Sequence, residues 1–146
     1  MAPLLIEDWL EEQIPEDAIL YRRVPRSLFI YRGKFEPDNQ PTVGAFEDKN
    51  FPGFLSTDWN RYATPQETQL RGGVDPPTNG VVELSVKDVR ALTNVLGLER
   101  LQVRHTPIRE TGIENRAHTD IISNDCDRLV VRTELRERCQ VIIKPT

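Results

Sequence analysis

The spacing of apolar residues changes character several times along this chain, and each change predicts an element. Over residues 3–13, Leu5, Ile6, Trp9 and Leu10 fall on one face at helical spacing, opposite Glu7, Asp8, Glu11 and Glu12. Pro3 suits a first helical turn and Pro15 stops the pattern, so a helix is predicted there. Residues 18–24 (AILYRRV) and 28–32 (LFIYR) are β-rich and predict two strands, or one that bends at Pro25. Residues 33–53 read as a long loop, with a short strand at 43–46. A strand is expected at 54–57. Thr64-Pro65-Gln66-Glu67 then carries the signature of a helix start, with Thr64 as N-cap and Glu67 three residues after it. A second loop spans 71–80. It precedes a half-buried strand at 81–86 and a helix at 87–96, where Val89, Leu92, Val95 and Leu96 keep helical spacing and Gly97 is the expected C-cap. Strands at 101–104 and 118–123, a helix at 126–138 capped by Asn124-Asp125, and a last strand at 140–144 complete the pattern.

Strands outnumber helices and do not alternate with them. The expected class is therefore α+β: a mixed or largely antiparallel sheet, an N-terminal helix, two or three further helices, and long Pro/Gly loops. No repeat or linker divides the chain. One domain over 1–146 is expected, with the helix at 1–15 preceding an α+β core at 16–146.

Composition narrows the function classes. In 146 residues, 19 basic side chains face 23 acidic ones, a net charge of −4, which argues against bulk nucleic-acid binding. No apolar run is long enough for a membrane span, and the N-terminus lacks the basic start of a secretory leader, so a cytoplasmic location is expected. Cys126 and Cys139 are too few for a disulfide scaffold or a zinc cluster, and no metal site is expected. Five of the eleven prolines fall in the two long loops.

Four groups of residues carry candidate chemistry. Leu20-Tyr21-Arg22-Arg23-Val24 sets two arginines in a strand otherwise suited to burial. Neighbours on a strand face opposite ways, so one guanidinium points into the covered face or a cleft. There it needs a carboxylate, as in a structural ion pair, or an anionic ligand such as a phosphate. Ser56-Thr57-Asp58-Trp59 ends an apolar strand in two hydroxyls, an acid and an indole, which suits either a ligand edge or a turn. Asn115-Arg116-Ala117-His118-Thr119-Asp120 is the densest polar cluster. His118 suits acid–base work or a packing role, and no second ligand stands at metal-binding spacing. Glu67 is a candidate catalytic acid as well as a capping residue. Ser56 has no nucleophile-elbow glycines around it, and no phosphate-cradling glycine loop is present, so hydrolase triads, P-loop enzymes and dinucleotide-binding Rossmann folds are not expected.

Leu20-Tyr21-Arg22-Arg23-Val24, Gly44-Ala45-Phe46-Glu47-Asp48, Leu55-Ser56-Thr57 and Asn115-Arg116-Ala117-His118 together resemble a group of small bacterial proteins, frequent in cyanobacteria. Those proteins pair an LYRR-[VI]-P opening with an N-x-A-H segment. The chain also resembles ADP-ribosyltransferase-like folds, including RES-type NAD-degrading toxins. Arg22 or Arg23 matches the arginine on the first core strand, Ser56-Thr57 the hydroxyl-bearing strand end, and Glu67 the helix glutamate. Pro107…Asn115…His118 matches the closing P…N…H stretch. The GGRW-type segment of the RES group reads Val43-Gly44-Ala45-Phe46 here, and no Glu-x-Glu stands near the C-terminus.

The resemblance implies NAD as a substrate, with arginine on the pyrophosphate and hydroxyls on the ribose. Glu67 and His118 would then be catalytic, and Arg22, Arg23, Ser56, Thr57 and Asn115 would bind. The alternative expectation is a non-catalytic interaction module, antitoxin-like or a defence-system accessory, that takes a protein partner through its acidic N-terminal helix.

Overall fold

β-branched and aromatic residues alternate with polar ones along the strand segments, and these pair into an antiparallel sheet. The computed structural model describes residues 9–96, 101–110 and 112–146. In chain order the elements are β1 (Ile19–Val24), β2 (Ile30–Tyr31), β3 (Lys34–Phe35), β4 (Phe54–Trp59), α1 (Pro65–Gln69), β5 (Gly80–Ser85) and α2 (Val86–Leu96). They continue with β6 (Gln102–His105), β7 (Ile108–Glu110), β8 (Ile113–Asn115), β9 (His118–Ile122), α3 (Leu129–Arg138) and β10 (Gln140–Ile143). Short 3-10 turns occupy Arg26–Phe29, Val43–Phe46 and Pro76–Thr78. The main sheet runs β10-β5-β1-β4-β9-β6, with every neighbouring pair antiparallel. The class is α+β, as the pattern predicted. No helix among the described residues is long and apolar enough to cross a membrane.

Alternation sends Leu20 and Val24 of β1, Leu55 and Trp59 of β4, Val82 and Leu84 of β5, and Ile121 of β9 to one face. Val89 and Leu92 of α2, Val131 and Leu135 of α3, and Phe29 and Phe46 from the 3-10 turns complete that core. Each fully buried aliphatic or aromatic side chain contributes about 1.5–3 kcal/mol. Arg22 lies between Leu20 and Val24 and shares their face. The short helix α1 packs against the opposite face, where Thr68 reaches Asp58. Its start carries the full capping box: Glu67 N–H donates to Thr64 Oγ1 (3.2 Å) and Thr64 N–H to Glu67 Oε1 (3.0 Å).

Several expectations are corrected. Residues 9–13, the second half of the expected N-terminal helix, are not helical; residues 1–8 lie outside the described residues. Long-range partners decide this. Glu12 N–H donates to His105 Nδ1 (3.0 Å), Arg104 clasps the Glu11 carboxylate (2.6 and 3.0 Å), and Tyr62 bonds Glu12, while Leu10 is 80% exposed. The segment therefore lies alongside β6, with Leu10 exposed and the Trp9 ring under the Arg109 guanidinium (4.9 Å).

Residues 43–46 make a 3-10 turn rather than a strand, closed by Ala45 N–H to Thr42 O (3.0 Å), and Ala45 and Phe46 are buried in it. The predicted strand at 28–32 divides into a 3-10 turn and β2, which meets β3 through Arg32 and Gly33 at φ 51° and 79°. The helix expected at 126–138 starts at Leu129, because Ser123 holds the preceding turn through Cys126 N–H and Asp125 N–H. The Gly97 cap lies outside the described residues. β3, which pairs with β2, and both strands of the second small hairpin, β7–β8, fall in stretches where the sequence pattern predicted no strand.

Candidate functional site

β1 and β5 pair along six positions, yet β1 and β4, neighbours in the middle of the sheet, pair only at Leu20–Trp59 and Tyr21–Asp58. Beyond Tyr21 the two strands run on without further pairing, and a cleft of about 420 Å³ lies along that seam. Its walls include Arg22 and Arg23 from β1, Ser56, Thr57 and Asp58 from β4, and the loop from Gly44 to Asn50. Thr68, Arg71 and Asn115 contribute from the far side.

The arginines divide their roles. Arg22 points toward the core, and its guanidinium bridges the seam: Nε–H donates to Ala45 O (2.5 Å) and Nη1–H to Ser56 O (2.7 Å). It thereby occupies a backbone carbonyl that the interrupted strand pairing leaves over. Burial pulls its pKa down to about 10; nearby Asp48 opposes this and Arg23 adds to it. Arg22 thus stays charged at neutral pH. Arg23 faces the other way and makes no such bonds: its Nε is buried and has no hydrogen-bond partner. Gly72 leaves room for it, since a Cβ on Gly72 would overlap Arg23 Nη1.

Asp58 is buried and organises the far wall. It accepts from Thr68 Oγ1 (2.7 Å), Asn115 Nδ2 (2.8 Å) and Arg71 Nε (2.5 Å), so both the arginine and the amide are held in place. Asn115 Oδ1 in turn accepts from Ala117 N–H (3.0 Å). Thr57 donates its hydroxyl to Thr119 O (2.8 Å), within the β4–β9 ladder.

Ser56 and His118 meet across β4 and β9. Ser56 Oγ stands 2.9 Å from His118 Nε2. On the other side of the ring, Nδ1 lies 3.0 Å from Thr106 O and 2.9 Å from Thr106 Oγ1. The Thr106 hydroxyl donates to Asp120 Oδ2 (3.1 Å), and Asp120 Oδ1 is 3.8 Å from His118 Nε2.

Of the residues singled out in the sequence, Arg22, Arg23, Ser56, Thr57 and Asn115 line the cleft together. His118 stands behind Ser56, and Glu67 lies outside the cleft in the cap of α1. Sequence reasoning missed Arg71, which reads as part of a turn, and Asp58 as the group that holds it. Thr106, a partner of His118, was missed as well, and Asp120 stood in the polar cluster without an assigned role. The signal available for Asp58 was an acid at an alternating, buried strand position. Comparison of this chain with known family models, with curated proteins and with solved structures finds no match in any of the three.

Proposed function

We propose that the seam cleft binds a nucleotide-like anion, NAD or a nucleoside diphosphate, through its phosphates. The observation that carries this reading is Arg23, a guanidinium with a buried Nε that has no partner, beside the charged Arg22 and Arg71. A buried N–H left unpaired costs about 1–3 kcal/mol, and an anion entering the cleft recovers that cost. Arginine also suits the task, since its planar fork matches phosphate oxygens two at a time. The volume lies within the range of small-molecule sites. Ser56 and the half-lining Asn115 offer polar groups for a ribose or amide. Glu67 has no part in this reading, which concerns binding.

The interaction-module reading relied on an acidic helix. Glu11 and Glu12 instead bond Arg104, Tyr62 and Arg61 within the chain, so they lend that reading less.

Isothermal titration calorimetry with ADP, NAD, pyrophosphate and inorganic phosphate tests the proposal. Binding is expected to weaken as salt rises and to fall at least about tenfold in Arg23→Met, the loss of one charge-assisted contact. If none of the four ligands binds at millimolar concentration, or if Arg23→Met binds as tightly as the parent, the proposal is wrong.

A further inference from the structure

The pair formed by Ser56 and His118 lies at the edge of the cleft and goes beyond anion binding. The Thr106 hydroxyl is committed to Asp120 Oδ2, so its oxygen and the Thr106 carbonyl both act as acceptors toward His118 Nδ1. The ring is thereby fixed with its proton on Nδ1. Its Nε2 then presents a lone pair 2.9 Å from Ser56 Oγ, and the serine hydroxyl donates to it. Asp120 Oδ1, 3.8 Å from Nε2, is placed to stabilise a positive ring once it has taken that proton. A nucleophile, a base within hydrogen-bond reach and a group that orients the base are the three parts of an activated serine, recognised by geometry rather than by sequence motif. A purely structural Ser–His contact requires neither a fixed tautomer nor an open approach to the hydroxyl. Ser56 lines the cleft.

We infer that Ser56 is a nucleophile with His118 as its general base, acting on carboxylic esters whose acyl part carries a negative group. The choice of an anionic ester rests on the anion reading of the cleft, with Arg23 as the holding group. In the first step Ser56 Oγ bonds to the carbonyl carbon while its proton passes to His118 Nε2. The carbonyl π pair moves onto oxygen and returns as the ester C–O bond breaks. The alkoxide leaves with that bonding pair and takes the proton from the imidazolium. Water then repeats the sequence on the acyl-serine, releasing a carboxylic acid and restoring Ser56. The net reaction is ester plus water to acid plus alcohol.

The test uses the full chain, a neutral fluorophosphonate probe read by intact mass and peptide mapping, and two esters: 4-nitrophenyl acetate and the 4-nitrophenyl monoester of succinic acid. One adduct on Ser56 is expected, absent in Ser56→Ala and formed at least about tenfold more slowly in His118→Gln, with circular dichroism unchanged. The succinate ester is expected to be favoured in kcat/KM by about tenfold, and Arg23→Met to abolish that preference. Folded protein that gains no Ser56 adduct, or a His118→Gln rate equal to the parent's, overturns the nucleophile. Labelling of Ser56 without preference between the esters upholds the nucleophile and overturns the anionic substrate class. Calorimetry with phosphate ligands reads the anion reading separately, because it needs no serine chemistry.

Discussion

Arg23→Met is expected to make the free protein more stable while removing its ligand. The buried Nε of Arg23 has no acceptor, a deficit of about 1–3 kcal/mol that methionine does not carry. Methionine keeps an unbranched stem but lacks the guanidinium atoms that lie beside Gly72. Removing the charge also relieves Arg22, whose protonated form Arg23 opposes. Against these gains stands some loss of contact by the missing fork. The net expectation is a gain of about 1 kcal/mol, which for a chain of this size raises Tm by about 2–4 °C.

Saturating ADP reverses the order: at a hundredfold excess over the parent's Kd the parent gains about 2.7 kcal/mol, and a variant that binds about tenfold more weakly gains about 1.4 kcal/mol. Differential scanning fluorimetry and urea titration, each with and without ADP, read both halves of this crossing. If Arg23→Met proves less stable than the parent by 1 kcal/mol or more, the guanidinium is held by the fold itself. The cleft argument then loses its basis.

Asp58→Ala leaves Thr68, Asn115 and the Arg71 guanidinium without their shared acceptor and is expected to cost about 3–5 kcal/mol by urea unfolding. A cost below 1 kcal/mol contradicts the role assigned to that carboxylate. Gly72→Ala pushes the end of a flexible arginine rather than backbone, so Tm is expected to move by less than about 2 °C while affinity for ADP falls. Burial pushes the thiols of Cys126 and Cys139 up to about 12, so neither is expected to react with a disulfide reagent at pH 8 until denaturant is added. The same shift makes stability fall as pH rises above about 9. The unfolded chain releases thiol protons there that the folded chain retains, and Cys126→Ala is expected to flatten that slope in urea titrations.

How much was legible depended on how local the deciding interactions are. The Thr64–Glu67 box closes within four residues, and the sequence contains everything that forms it. Alternation required one of Arg22 and Arg23 to turn inward without saying which; the choice of Arg22 rests on its bonds to Ala45 O and Ser56 O, beside the inward Leu20 and Val24. The helix over 3–13 was misread across 9–13 because helical spacing records only what a helix would bury. His105 and Arg104, more than ninety positions away, fix the backbone and acids of that segment instead. Arg71 looked like a turn residue because its partner, Asp58, sits on a strand thirteen residues earlier. Ser56 and His118 are sixty-two positions apart and meet only through the β4–β9 register, which no local motif encodes.

The seam between β1 and β4 has a mechanical consequence. A sheet is ordinarily stiffest in its middle and frays from its edges, because central strands are bonded on both sides. In this sheet the middle joint holds by two residue pairs and the Arg22 side chain, while β5-β1 on one side and β4-β9-β6 on the other are each continuously paired, and β10 joins β5 with a register shift between Val141 and Ile143. The two halves therefore behave as plates joined by a short hinge, with Arg22 as the tie across the open end. The softest motion of the sheet is a change in the angle between the plates, and that angle sets the width of the cleft. Hydrogen exchange should consequently begin at the centre of this sheet, on the seam-facing amides of β1 and β4, and a ligand that spans the seam should slow exchange there first.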